Sequence, residues 1–226
     1  LSGVLLTGAS GTVAYHRLRR IDYATGIVFA AATVPGAVLG ALAVGLLGDH
    51  QPAFRLLFGG FLAAIGLYIL VRPRGRGAAA KGAGWGRATY RSLTDTVGRT
   101  YTYAVNLPLG VLASLGVGFL SALLGIGGGL ILTPIMVTVL GIPAHIATAT
   151  AVFILTFTAL TAVSTHLATG TLLQGALPAL LVAGGMLVGA QVGARLSQRL
   201  SSETLVRLLA VAMVAVGARL AASYLA

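Results

Sequence analysis

Long apolar runs, cut by short basic or glycine-rich gaps, set the pattern of this chain. The first run extends from Leu1 to Tyr15 and stops at His16-Arg17-Leu18-Arg19-Arg20. A second runs from about Tyr23 to Leu47 with Pro35-Gly36 and Gly40 inside it. Asp49-His50-Gln51-Pro52 then turns the chain into a third, Phe54 to Val71. Beyond a basic stretch come Tyr103 to Leu124, Leu130 to Leu140, Ala144 to Leu167, Leu172 to Leu196 and Thr204 to Leu225. Most of these runs match the roughly 20 apolar residues that an α-helix needs to span a bilayer. The pattern predicts an all-α, polytopic transmembrane protein with eight membrane elements, Leu130 to Leu140 being too short to cross upright. Leu1 to Tyr15 is also short, and it lacks the charged start and cleavage site of a signal peptide. It reads as the second part of a helix whose beginning is missing, so we expect a truncated or incomplete chain.

Composition agrees with a membrane setting. Of 226 residues, 57% are hydrophobic and 8% are charged, against about a quarter charged in soluble domains. There is no cysteine, so neither a disulfide framework nor a thiolate metal site is available. The net charge of +11 raises the question of nucleic acid. The basic residues instead gather in gaps between apolar runs, as the positive-inside rule predicts, and no aromatic-basic interleaving supports a polyanion partner. The lipid bilayer is the expected partner.

The chain divides into two halves that resemble one another. Leu39-Gly40-Ala41 returns as Val188-Gly189-Ala190, and at the same spacing Leu18 returns as Leu167 and Gly26 as Gly175. Phe54-Arg55-Leu56-Leu57 likewise resembles Val206-Arg207-Leu208-Leu209. We read residues 1–71 as a first half that lacks its first two elements. Residues 72–103 form a basic, solvated, cytoplasmic linker, and 104–226 a second half of five elements. The Arg17/Arg19/Arg20 turn is basic while its counterpart Ala168-Thr169-Gly170-Thr171 is uncharged. Conversely, Arg195 and Arg199 stand where Asp49 stood in the first half. A charge bias that changes sides between halves predicts an inverted repeat, the plan of many secondary transporters. Arg219, inside the last span, does not fit this scheme neatly.

The densest local signal is Gly125-Ile126-Gly127-Gly128-Gly129, closed by Pro134. Each glycine weakens a helix by roughly 1 kcal/mol against alanine. In hydrocarbon the bared backbone must be paired within protein or line a wet cavity. Such a Gly-broken helix at membrane depth is either a binding site or a tight helix crossing. Asn106 and Gln191 are expected to bond between helices. His16, His145 and His166 sit near span ends without metal spacing, and we expect them at the interface. No nucleophile-base pair, carboxylate pair or metal cluster points to an enzyme, and no cofactor is implied.

The glycine motif with Pro134, followed by Ala147-Thr148-Ala149-Thr150, resembles the TauE/SafE family of sulfite exporters. So do Ser10-Gly11-Thr12, His16, Ile21-Asp22, Pro35-Gly36 and Leu39-Gly40. The resemblance covers nearly the whole chain outside the linker, although the first-half glycine motif is absent and Thr150 is followed by Ala151 where the family often has Thr-Ser. It implies a multi-pass transporter of a prokaryotic inner membrane moving, and as an exporter expelling, small sulfur-containing anions such as sulfite or organosulfonates. An anion channel and a non-transporting scaffold are the alternatives. A proton or ion as coupling partner and a homo-oligomeric assembly are left open. A small anion can be held by a helix N-terminus, whose free N–H groups carry about half a positive charge. The candidate substrate-binding residues are therefore Gly125, Gly127, Gly128, Gly129, Leu130 and Pro134, with Thr148, Thr150, Thr158 and Thr161 on the next span. Thr150, Thr158, Thr161 and Thr165 fall within about 80° of one another on a helical wheel, beside Ser164. That stripe either lines an anion path or bonds its own backbone carbonyls.

Overall fold

The computed structural model describes residues 2–47, 51–71, 88–124, 129–168 and 176–225. They form α1 (Ser2–Arg17), α2 (Tyr23–Leu47), α3 (Gln51–Val71), β1 (Ala88–Thr94), β2 (Thr100–Asn106), α4 (Leu107–Leu124), α5 (Gly129–Thr138), α6 (Ala144–Ala168), α7 (Ala176–Arg199) and α8 (Ser202–Leu225). Within these, Tyr23–Gly40, Ala144–Thr161 and Ser202–Ala222 are long and apolar enough to cross a membrane, and Gly59–Val71 and Leu107–Ala122 are shorter apolar helices. Leu42, Val71, Leu112 and Val188 stand exposed on the outside, where lipid rather than water suits them. The protein is a helical membrane protein.

Small residues decide how closely the helices approach. A side chain at Gly36 would strike the backbone of Leu115, and one at Gly40 the backbone of Phe119, so α2 and α4 run parallel in close contact. Gly59 and Gly217 do the same for α3 and α8, which run antiparallel. This is how apolar helices associate in lipid, where hydrophobicity offers no preference between helix and tail. Gly8 and Gly11 of α1 meet Thr156 and Val152 of α6, and these two helices also run antiparallel. Gln191 of α7 donates from Nε2 to the Ser10 carbonyl at 3.0 Å, the bond between helices that the sequence led us to expect. Tyr15 bonds Ser197 at 3.4 Å, so α1 and α7 run parallel and finish at the same end.

That end carries a feature the hydrophobic pattern hid. Residues 88–106 are not solvated linker running into a span. They form an antiparallel hairpin registered from Ala88↔Asn106 to Thr94↔Thr100. Tyr103 and Val105 are buried, and Leu93 and Tyr101 pack against the core, while Tyr90 and Thr102 face outward. The helix expected from Tyr103 therefore begins at Leu107. Asn106 caps it, its Oδ1 accepting the Leu109 N–H at 3.2 Å, which satisfies one of the unpaired donors of a helix start. Asn106 is thus a cap rather than a bridge between helices. The linker segment 72–87 and the Thr169-Gly170-Thr171 turn lie outside the described residues.

Candidate functional site

The glycine-break candidates divide at the edge of what is described. Gly125, Gly127 and Gly128 lie outside the described residues, as does the side chain of Leu130. Gly129 opens α5, and a side chain there would meet Leu155 of α6 at 3.5 Å, an ordinary contact. Gly129 is therefore no tight crossing. Pro134 is buried inside α5, where its missing N–H leaves the Leu130 carbonyl without its helical donor. Thr133 and Thr138 bond back to the carbonyls of Gly129 and Pro134 at 2.9 and 2.7 Å.

The hydroxyl stripe on α6 is mostly turned on its own helix. Thr148 donates to the Ala144 carbonyl at 2.8 Å, Thr158 to Leu155 at 3.0 Å, Thr161 to Phe157 at 3.0 Å and Ser164 to Leu160 at 2.5 Å. Of the two roles open to these residues, back-bonding is the one observed. Thr150 differs. It is fully buried, and its Oγ1 accepts the backbone N–H of Asp22 at 3.1 Å, tying the α1–α2 turn to α6. The side chains of Thr165 and His166 lie outside the described residues.

The buried polar chemistry is concentrated instead at the hairpin end. Helix α1 finishes with the Arg19 N–H bonded to the His16 carbonyl and the Arg20 N–H to the Tyr15 carbonyl. Arg19 takes φ of 52°, the left-handed position usually given to glycine. That turn directs Arg20 inward, and its side chain is 1% exposed against 0% for Asp95 of the hairpin loop. Nε and Nη2 of Arg20 both donate to Asp95 Oδ2, at 3.2 and 2.8 Å. The other carboxylate oxygen accepts the N–H groups of Val97 and Arg99 at 2.9 and 3.0 Å. Burial works to raise the Asp95 pKa, but the Arg20 hydrogen bond and these backbone donors outweigh it and hold the carboxyl below its ordinary value.

A second clasp lies beside the first. Asp22 caps α2, accepting the Thr25 N–H at 3.1 Å and the Thr25 hydroxyl at 2.5 Å, where the helix dipole favours a negative charge. Tyr103 of β2 donates its hydroxyl to Asp22 Oδ2 at 2.9 Å. Burial, and then the Asp22 charge and the hydrogen bond it accepts, push the Tyr103 phenol well above its usual range. The hairpin is therefore fixed across the α1–α2 turn by an ion pair and a phenol–carboxylate bond.

His145, expected at the interface, is 3% exposed. It lies in the first turn of α6 with its ring 6.2 Å from that of Tyr101. Tyr101 of the hairpin is thus one of the groups beside this helix start. The hydrophobic pattern does not single out Arg20, Asp22, Asp95 and Tyr103 as a group. One signal was available: only four acids occur in the chain, and Asp22 precedes a helix with Thr three positions on, a capping pattern.

A family profile described as "Sulfite exporter TauE/SafE" matches residues 1–220. The "Probable membrane transporter protein YunE" of Bacillus subtilis (strain 168) is 29% identical over 219 residues, covering 96% of this chain and 77% of that protein. No solved structure matches the chain.

Proposed function

The chain belongs to the TauE/SafE sulfite exporter family, and from that membership we propose that it is a secondary transporter expelling a small sulfur-containing anion, sulfite or an organosulfonate. The observation that carries the reading is the family match across nearly the whole chain, on a bundle of apolar helices. A membrane transporter is what family and relative have in common. Substrate and direction are our reading of the family's description.

The helix directions support an inverted repeat of residues 1–71 and 104–226 about the 72–103 segment. α1 runs opposite to α6 and α3 opposite to α8. α2 leaves the hairpin end while α7 arrives there. Arg17, Arg19, Arg20, Arg91, Arg99, Arg195, Arg199 and Arg207 all fall toward that end, which by the positive-inside rule is the cytoplasmic one of a prokaryotic inner membrane. Arg219 then finds a place, exposed near the far end of α8, where a long basic side chain reaches the interface. In this reading the anion passes the glycine break, held by backbone N–H groups from Gly127 to Leu130, where a Cβ would obstruct approach.

The test is a transport assay in proteoliposomes with sulfite, sulfate, sulfonates and carboxylates compared. We expect saturable, gradient-coupled flux of a sulfur oxyanion, abolished by Gly128→Val in a protein that still folds and inserts. Dissipative conductance would favour a channel, and normal flux through a stable Gly128→Val protein would remove the glycine break from the path.

A further inference from the structure

Four buried polar atoms at the hairpin end lack a hydrogen-bond partner, Arg91 Nε of β1 among them. The other three are Arg20 Nη1, His145 Nδ1 and the Tyr101 hydroxyl. Arg20 is 1% and His145 3% exposed. They belong to one cluster. The Tyr101 and His145 rings are 6.2 Å apart. Asp95 binds Arg20 and also fixes Arg99, two residues before Tyr101. Arg20, Arg99 and Asp95 all lie within electrostatic reach of His145. Beneath them α6 begins; its Ile146 and Ala147 N–H groups already bond the Pro143 carbonyl, and the helix dipole favours negative charge at this start.

We propose that this cluster is a binding site for a small free oxyanion, held by Arg20 Nη1, His145 Nδ1, the Tyr101 hydroxyl and the α6 N-terminus. An arginine can only donate, so its unused Nη1 calls for an acceptor. The acid of the cluster cannot supply one, because both Asp95 oxygens are already taken, by Arg20 and by the Val97 and Arg99 amides. Arg20 and Asp95 balance one another, and the dipole of α6 favours an anion at its start. An ion with three or four oxygens offers one acceptor to each donor, as a halide does not. Nδ1 donates in its protonated tautomer. Enclosure by the hairpin favours a free ion over a lipid headgroup, whose glycerol and chains would have to leave through it. The ligand's identity rests on the transporter reading: at the basic end, this would be where a sulfur oxyanion is first taken from the cytoplasm, ahead of the glycine break along the same helix pair.

The experiment is calorimetric titration and thermal unfolding of the whole chain in detergent, with sulfite, sulfate and methanesulfonate against chloride at constant ionic strength. Wild type is expected to bind an oxyanion saturably and to be stabilised by it, and not by chloride. Tyr101→Phe removes only the hydroxyl, and His145→Phe keeps a ring against Tyr101. Each should weaken binding about ten-fold, the worth of one hydrogen bond to a charged group, with the anion-free unfolding temperature nearly unchanged for Tyr101→Phe. Unaltered affinity in both variants, or no oxyanion binding by wild type, overturns the site. Stabilisation by phosphatidylglycerol nanodiscs without any response to the free ions assigns the donors to a headgroup and also overturns it. Binding is read apart from flux. Transport with unaltered affinity in both variants keeps the transporter and loses this site, while hydroxyl-dependent binding without transport does the reverse.

Discussion

At the scale of single residues, the same hydroxyl can serve a ligand or the fold, and hydrogen-bond geometry separates the two. Thr150 accepts the Asp22 N–H between the α1–α2 turn and α6. Thr150→Val keeps the shape but leaves that N–H buried and unpaired, a loss of about 1–3 kcal/mol. We expect a lowered unfolding temperature and an unchanged substrate affinity. Reduced affinity at unchanged stability would return Thr150 to the anion path. Arg19 makes a related point. Its left-handed conformation, without glycine's freedom, costs on the order of 1 kcal/mol, and the turn it makes is what aims Arg20 at Asp95. Neither role can be seen in sequence, because both depend on residues from distant parts of the chain.

At the scale of elements, the hairpin is the part that hydrophobic pattern alone misplaces. Thr100-Tyr101-Thr102-Tyr103-Ala104-Val105 alternates with a period of two, a strand signal that was overridden by its continuity with an apolar run. Two clasps hold the hairpin down, and they respond to pH in opposite directions. The Asp95 pKa is lowered in the folded protein. Its contribution is therefore present above the unfolded carboxylate value of about 4 and lost as pH falls through the folded value. The Tyr103 pKa is raised, so its contribution holds below about 10, the unfolded phenol value, and fades as pH rises. The hairpin should stay docked throughout the physiological range and loosen only in strong acid or strong base. Hydrogen exchange of the Ala88–Asn106 amides at pH 7, 5 and 3 will test this. Equal protection at pH 7 and 5 with a fall toward 3 is the expected result, and loosening between 7 and 5 would contradict it.

At the scale of the whole molecule, the basic end gives the orientation. Because the chain lacks cysteine, single cysteines at Ser92 of the hairpin, Ser202 at the start of α8 and Gly170 between α6 and α7 are clean reporters. An impermeant thiol reagent should label Ser92→Cys and Ser202→Cys from one side and Gly170→Cys from the other. Labelling of all three from one side would end both the orientation and the inverted repeat.

The sequence by itself determined the setting, the helices found among the described residues and the family. Uninterrupted apolar length and the scarcity of charge are local properties that hydrocarbon enforces without help from distant residues. Repeated motifs and basic gaps suggested two halves and a common basic end for the same reason. Tertiary structure decided which polar residues are buried and with whom. Arg20 and Asp95 are far apart in the chain, each in a basic stretch that reads as solvated, yet they form one enclosed ion pair. His145 reads as interfacial, yet it is buried with the Tyr101 ring of the hairpin beside it. A charge costs too much to bury without a partner, and whether a partner arrives is settled only when separate elements pack together.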